Sequence, residues 1–405
     1  MPKAKPTRSS KRSDKKDYER SSGKKTSSGS ETTRNSTPTT PKTSEIPGTE
    51  SVTGKDIIII AGSYEKLLYG INGHWLRAGD DGYEQDKPSL RLEPIFIFPA
   101  HSGCIKTVAV GGRHLASGST DEVIKLYDIK KRKEVGSLLQ HEGSITTLQF
   151  YGKSHMLSGS EDGTICIWRT RDWECLKTLK GHKGRVNYLS VHPSGKMALS
   201  VSIDKTVRLW DLLVGQKASV INLGRGIYKG EVVLWSPSGE QYAILTTHEI
   251  VLYNISDAKI AQKFQLQNSR YLCMQYHTHE SLGDLLIAGC EDKTVRIYDI
   301  KRGDCIAKLM GHKNRIKSMS KIHSAPPNHP TPVALLTSIS SDGVINIWSL
   351  DEILAKKGQT EPLTSYDTRT MTVLTVWGPL EAADVKHPIV KSHTVAPYIV
   401  VNHSA

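Results

Sequence analysis

Two stretches of the chain place a histidine and an aspartate where they could work together as an acid–base pair. His141 precedes Asp162 by 21 residues, and His182 precedes Asp204 by 22 residues. An imidazole that a carboxylate orients can transfer a proton during catalysis. Because the same pair occurs at nearly the same spacing in two neighbouring stretches, it could instead belong to a repeated structural unit.

An internal repeat favours the structural interpretation. An aromatic residue followed by a polar one recurs at intervals of 41 to 50 residues, and an aspartate lies six residues before five of the six aromatics. The aromatics are Tyr127, Trp168, Trp210, Tyr253, Tyr298 and Trp348, and the aspartates are Asp121, Asp162, Asp204, Asp292 and Asp342. Short β-branched and aromatic runs between turn residues fill each repeat, which predicts an all-β protein with the period of a propeller blade.

With Gly-His opening two of the units and Trp-Asp closing a strand, the chain resembles WD-repeat proteins from residue 56 to about 378. The resemblance implies a seven-bladed WD40-type β-propeller with four antiparallel strands in each blade. Six repeats are visible in the sequence. We expect "IIIIAGSYEKLLYGI" (57–71) and "TMTVLTVWG" (370–378) to combine into the seventh blade. Strands from both ends would then close a domain at 56–405 and remove exposed sheet edges.

In WD-repeat proteins the histidine, a strand serine, the turn aspartate and the strand aromatic form a buried hydrogen-bonded chain. The resemblance implies two such structural tetrads, His141, Ser158, Asp162 with Trp168, and His182, Ser200, Asp204 with Trp210. We therefore predict no catalytic residue and no enzymatic activity, since the sequence also lacks a P-loop and the common hydrolase motifs. The six cysteines have no Cys-x-x-Cys spacing, which predicts free intracellular thiols, no metal site and no cofactor.

Basic residues recur in the loops after the Gly-His pairs and in the turns after the aspartates. By the geometry of WD-repeat proteins, these loops lie around one mouth of the central channel. The candidate residues for binding an anionic partner are Lys106, Lys183, Arg185, Lys205, Lys293, Lys313, Arg315 and Lys317. Such a ring would attract phosphate or an acidic peptide. The alternative is that these side chains only solvate the loops.

The first 50 residues differ in composition from the rest of the chain. They contain 19 Ser or Thr residues and a net charge of +6, out of +13 for the whole protein, with one aromatic residue. This composition predicts a disordered basic tail at 1–50. Lys11, Arg12, Lys15 and Lys16 form a candidate nuclear address, and a solubilising tail is the alternative. No stretch approaches the roughly 20 apolar residues of a membrane helix, so we predict no membrane contact.

The irregular fourth repeat narrows the resemblance, because it lacks Gly-His and has His248 and Glu249 where Asp-Gly usually stands. Together with segments 158–186 and 191–212, it resembles the PAK-interacting-protein branch of WD-repeat proteins. That branch implies a nucleolar scaffold that assembles the large ribosomal subunit precursor and binds rRNA, ribosomal proteins and assembly factors. We expect a monomer within a larger complex. The alternatives are a scaffold that restrains a p21-activated kinase, and a phosphopeptide or chromatin reader.

Overall fold

Seven antiparallel sheets of four strands each make up the structure, which is a computed structural model. It describes residues 57–77, 79–80, 89–223, 229–326, 332–356, 361–367 and 373–377. The predicted seven-bladed all-β propeller is confirmed. The predicted tail at 1–50, with Lys11, Arg12, Lys15 and Lys16, lies outside the described residues, as does the chain after 377.

The strands are named in chain order. The first fourteen are β1 (Ile57–Gly62), β2 (Leu67–Trp75), β3 (Leu90–Pro99), β4 (Ile105–Gly111), β5 (His114–Ser119), β6 (Ile124–Asp128), β7 (Lys133–Leu138), β8 (Ile145–Tyr151), β9 (His155–Ser160), β10 (Ile165–Arg169), β11 (Glu174–Leu179), β12 (Val186–Val191), β13 (Met197–Ser202) and β14 (Thr206–Asp211). The others are β15 (Gln216–Asn222), β16 (Gly230–Trp235), β17 (Gln241–Thr246), β18 (Glu249–Asn254), β19 (Ile260–Gln265), β20 (Tyr271–His279), β21 (Gly283–Cys290), β22 (Thr294–Asp299), β23 (Asp304–Met310), β24 (Ile316–Ser324), β25 (Val333–Ser340), β26 (Val344–Ser349), β27 (Thr364–Asp367) and β28 (Val373–Trp377).

Consecutive strands form the blades, and only the seventh blade departs from chain order. Blades 1 to 6 consist of β4–β7, β8–β11, β12–β15, β16–β19, β20–β23 and β24–β27. Blade 7 has the order β28, β1, β2, β3, so it takes strands from both ends of the described chain. The first strand of every blade contacts the first strand of the next, in a closed circuit through β4, β8, β12, β16, β20, β24 and β28.

Burial follows the position of a strand within its blade. The second strands are almost fully buried, and in β25 all eight residues are. Such a strand is covered on both faces by neighbouring blades, which explains its continuous run of apolar and small side chains. The outermost strands alternate and expose charged residues such as Lys263 in β19 and Lys308 in β23. Charges on these edge strands discourage pairing with other chains.

One short helix, α1 (Leu350–Lys356), departs from the predicted all-strand pattern, in the connection between β26 and β27. The hydroxyl of Ser349 accepts a hydrogen bond from the Glu352 backbone at 3.4 Å, in the position of a helix N-cap. Leu350 and Ile353, three residues apart, are both buried against blades 5 and 6. A capping serine followed by this spacing is enough to favour a helix in place of a turn.

Candidate functional site

The four side chains predicted as a tetrad in blade 3 form one continuous hydrogen-bonded chain. Trp210 Nε1 donates to Ser200 Oγ at 2.8 Å, and Ser200 Oγ lies 2.7 Å from His182 Nε2. The other ring nitrogen, His182 Nδ1, lies 3.0 Å from Asp204 Oδ2. The serine is fully buried, and His182 and Trp210 are less than a tenth exposed. The chain therefore crosses the blade from its interior to the turn that follows β13.

The protonation states of this chain follow from its surroundings. Burial lowers the pKa of His182, although the hydrogen bond and charge of Asp204 oppose this shift. Burial alone would raise the pKa of Asp204, but hydrogen bonds from Thr206, Lys183 N–H and His182 outweigh it and lower that pKa. A neutral imidazole beside a carboxylate results. Nδ1–H then donates to Asp204 and Nε2 accepts from Ser200, so that every polar atom of the chain has its partner.

Blade 2 contains the second predicted tetrad with the same geometry. His141 lies 2.7 Å from Ser158 Oγ and 3.0 Å from Asp162 Oδ2, and Trp168 Nε1 donates to Ser158 at 2.8 Å. Ser158 is fully buried, so its hydroxyl is out of reach of a substrate in this conformation. The geometry fits a scaffold that satisfies buried polar groups.

Three other blades keep only part of the network. In blade 1, His101 lies 2.7 Å from Ser117 Oγ and 3.1 Å from Asp121 Oδ2, but Tyr127 takes the place of the tryptophan. In blade 6, His312 Nε2 lies 2.7 Å from Ser338 Oγ, but the buried Nδ1 atom of His312 has no hydrogen-bond partner. In blade 5, alanine occupies the serine position, and Tyr271 and Tyr298 instead join their hydroxyl groups at 2.8 Å. An aromatic pair thus replaces the histidine chain in that blade.

A channel of about 400 Å³ runs between the innermost strands, and residues from all seven blades line it. Lys106 of β4 and Lys317 of β24 stand where two of these strands begin. A second recess of about 330 Å³ shares Lys106 with the channel and adds Glu161, Arg185 and Lys229. We call this end of the channel the mouth. The predicted basic residues Lys106, Lys317 and Arg185 therefore all line the channel or its mouth.

Tyr64 connects two of these lysines across blade 7. Its ring centroid lies 5.7 Å from Lys106 Nζ and 5.5 Å from Lys317 Nζ, and Lys317 Nζ donates to Tyr64 Oη at 3.2 Å. The tyrosine is 46% exposed. Cation–π attraction holds both ammonium groups near the ring. Two like charges are thereby brought together at the mouth, where an anion would be stabilised.

The two arginines of the predicted ring lie beside glutamates of the preceding blade. Arg185 Nη1 is 3.5 Å from Glu161 Oε1, and its Nε donates to Asn187 at 3.0 Å. Hydrogen bonds from Arg270 lower the pKa of Glu291, and the positive charge of Arg315 lowers it further by a smaller amount. The positive charge of these arginines is thus partly balanced within the protein.

Comparison with known proteins accounts for this arrangement. The family model described as "WD domain, G-beta repeat" matches residues 92–128, 132–169, 173–211, 266–299 and 303–349. The chain is 36% identical to p21-activated protein kinase-interacting protein 1-like of Danio rerio, over 82% of this chain and 83% of the relative. It is 34% identical to Protein MAK11 of Saccharomyces cerevisiae and 28% identical to Shk1 kinase-binding protein 15 of Schizosaccharomyces pombe. Each of these two matches covers 72% of this chain and 77% of the relative.

The chain is a WD-repeat protein of the PAK-interacting-protein branch. Four of the five matched segments run from an outermost strand through the first three strands of the next blade, as 132–169 does from β7 to β10. This WD-repeat protein has no matched segment between 211 and 266, where the fourth repeat was recognised as irregular. The fourth blade nevertheless forms, with β16 to β19 in the regular order.

The remaining predicted basic residues of the WD-repeat protein lie away from the channel. Lys183, Lys205, Lys293 and Lys313 are exposed and line neither the channel nor its mouth. The carbonyl of Lys205 accepts from Leu223 at 2.9 Å, just after the outermost strand of its blade. Three of the eight predicted residues therefore line the channel or its mouth, and the other five, including Arg315, line neither.

Sequence reasoning missed Tyr64 as part of this site. The signal was present, because "GSYEK" aligns with "VSIDK" in blade 3, and Tyr64 takes the position of Ile203 at the mouth-side turn.

Within the described residues of this WD-repeat protein, no group of three His, Cys, Asp or Glu residues is arranged to hold a metal ion. The described helix is too short and polar to cross a membrane.

Proposed function

We propose that this protein is a non-catalytic scaffold in the nucleolus that acts in assembly and maturation of the large ribosomal subunit precursor. It binds rRNA together with ribosomal or assembly proteins. The observation that supports this proposal best is the pair of lysines, Lys106 and Lys317, held over Tyr64 at the channel mouth. The sequence resemblance to the nucleolar branch of WD-repeat proteins supplies the choice of particle.

The charge balance of the lysine pair explains why an anion would bind there. Neither Lys106 nor Lys317 forms an ion pair with a carboxylate of the described residues. Two ammonium groups on one tyrosine repel each other, and a phosphate between them would remove that repulsion. Lysine binds phosphate as a point charge, and such phosphate contacts supply a large share of the affinity for nucleic acids.

The serines of the tetrads are not exposed to a substrate, which agrees with a scaffold. Ser158, Ser200 and Ser338 are each bonded to both a histidine and a tryptophan, and all three are fully buried. A scaffold of this kind works through its loops and faces, where the repeats differ from one another.

Affinity purification of the tagged full-length protein at low and at high salt tests the proposal. We expect rRNA precursors and large-subunit proteins to copurify, and the double variant Lys106→Glu, Lys317→Glu to recover several-fold less of them. The control Lys263→Glu, Lys308→Glu makes the same charge change on outermost strands and should behave as the wild type. Recovery of modified peptides or chromatin without rRNA, or equal recovery with both variants, would refute the proposal.

A second candidate function is binding to a p21-activated kinase. It is favoured by the relatives in Danio rerio and Schizosaccharomyces pombe, which are named as a kinase-interacting and a kinase-binding protein. The same purification distinguishes the two candidates. A kinase that remains bound after nuclease treatment, in the absence of ribosomal proteins, would favour the second.

A further inference from the structure

A groove of about 830 Å³ lies between blades 1 and 2, at the end of the propeller opposite the mouth. The turns that form it follow the first and third strands of each blade, whereas the mouth is formed by the turns that follow the second and fourth. The groove is larger than the channel. We call it the lower groove.

The lower groove carries an excess of positive charge. Its lining includes two carboxylates, Asp128 and Glu134, and six cationic side chains. The cationic residues are Arg113, Lys131, Lys133, Lys153, Arg169 and Arg171. This excess attracts a polyanion into a concave surface.

Some of these cations are neutralised by the protein and some are not. Arg113 lies 3.6 Å from Asp128, and Arg169 donates to Asp172 at 2.9 Å. In contrast, the side chains of Lys131, Lys133 and Arg171 are exposed and make no ion pair with a carboxylate of the described residues. Lys131 and Lys133 come from blade 1 and Arg171 from blade 2, so uncompensated charge stands on both sides of the groove.

A strained tryptophan lies between these charges. Trp173 has φ +60° at the fourth residue of the turn between β10 and β11. The same left-handed turn position holds Gly215 in blade 3 and Gly303 in blade 5, and Arg132 and Ala258 in blades 1 and 4. A bulky side chain in the left-handed region strains the backbone, and such strain often marks a functional residue. The ring packs edge-on against His114, with centroids 5.2 Å apart, and it remains half-buried in the groove lining.

We propose that the lower groove binds a short segment of single-stranded RNA. Lys131, Lys133 and Arg171 would contact its phosphates, and Trp173 would stack on a base. Single-stranded RNA is recognised by this combination of cationic side chains and an aromatic platform. An acidic peptide would engage the cations but would have no base to stack on the Trp173 ring. The choice of RNA rests on the proposed function in ribosome assembly.

Fluorescence polarisation of the purified full-length protein with a labelled 12-nucleotide single-stranded RNA, across a salt series, tests the proposal. The triple variant Lys131→Glu, Lys133→Glu, Arg171→Glu should bind at least about 10-fold more weakly and show a shallower salt dependence, since each lost phosphate contact lowers the slope by about 0.7. Trp173→Gly should weaken binding about 5- to 100-fold without changing the slope, because stacking is not ionic.

Two control variants separate these effects from changes in the fold. Ala258→Gly places a glycine at the same turn position of blade 4, where Ala258 has φ +53°, and should bind as the wild type does. Lys263→Glu with Lys308→Glu changes charge on outermost strands and should also leave binding unchanged. If Trp173→Gly does not fold, crosslinking of 4-thiouridine RNA to the wild type replaces it. Crosslinks to residues 130–133 or 169–174 are then expected.

Several results would overturn the proposal. These are equal binding by the triple variant, equal binding by folded Trp173→Gly, an equally strong affinity for a polyglutamate peptide, or crosslinks confined to other segments. The failure of this proposal differs from that of the proposed function. A triple variant that still copurifies with precursor particles and binds RNA normally refutes the groove alone. A wild type that copurifies no rRNA, yet binds RNA through the groove, refutes the assembly role alone.

Discussion

Ile59 and Val376 pair across β1 and β28, which joins the two ends of the described chain within one sheet. Ile59 is fully buried and Val376 is 2% exposed, and both belong to the apolar cluster between blades 6 and 7. Neighbouring Thr375 points instead into the channel lining. The closure therefore combines backbone pairing with burial of one face of β28.

Deleting residues 370–378 should abolish cooperative unfolding of the whole propeller, because blade 7 would lose its innermost strand. Val376→Asp should destabilise by more than about 3 kcal/mol, since it buries an unpaired charge. Thr375→Asp, on the channel face of the same strand, should destabilise the protein much less. Thermal unfolding followed by circular dichroism measures all three, and an unchanged transition in the deletion would contradict the closure.

Asp204→Ala should lower the free energy of unfolding by about 1 to 3 kcal/mol. It removes the carboxylate that lies 3.0 Å from the buried His182 Nδ1 and leaves only the Thr206 hydroxyl beside it, at 3.3 Å. Asp342→Ala should cost less, since His312 Nδ1 already lacks a hydrogen-bond partner in the native blade. Urea unfolding of both variants at pH 7.5 gives the comparison. A fully stable Asp204→Ala protein that fails to bind its partner would instead identify the tetrad as a binding site.

The protein should lose stability as the pH falls from 6.5 towards 4. Burial lowers the pKa of His312 from 6.5 to about 4, so the folded state binds fewer protons than the unfolded chain in this window. The stability is complete above pH 6.5, and His312 alone accounts for a loss of about 2 kcal/mol at pH 5. Urea unfolding at pH 7 and pH 5 should show a smaller difference for His312→Asn than for the wild type.

We expect glycine to give a more stable protein than alanine at positions 205 and 293, where the chain has lysine. Both lysines have left-handed φ values of +64° and +70°, at a turn position that is glycine in blades 2 and 6. Lys205→Gly should therefore be about 1 kcal/mol more stable than Lys205→Ala, although both variants lose the same charge. Differential scanning calorimetry of the two variants decides this, and equal melting temperatures would show that the turn is not strained.

Removing residues 1–50 should weaken nucleolar accumulation while the propeller keeps its melting temperature. The segment carries a net charge of +6 and the candidate nuclear address. Replacing Lys11, Arg12, Lys15 and Lys16 by alanine in the full chain should have the same effect as the deletion. Fluorescence microscopy at native expression levels measures localisation, and an unaltered pattern in both variants would assign retention to the propeller.

The sequence by itself determined the repeat and its period, and its resemblance to WD-repeat proteins supplied the seventh blade and the candidate tetrads. Each tetrad in blades 2 and 3 is assembled from one repeat, with the histidine 21 or 22 residues before the aspartate. Short connections and alternating strands leave few ways to pair such a unit, so its register follows from local pattern. The helix α1 was missed because its capping serine and two apolar residues span a single turn, too short for a periodic signal.

Only the tertiary structure decided which charges act together. Tyr64, Lys106 and Lys317 lie far apart in the chain, and they meet because ring closure places blade 7 between blades 1 and 6. Likewise, Arg185 meets Glu161, and Trp173 meets His114, across a boundary between blades. A repeat pattern predicts which residues each blade contains. Contacts between blades depend instead on the angle at which neighbouring twisted sheets pack, which is set by side chains from both of them.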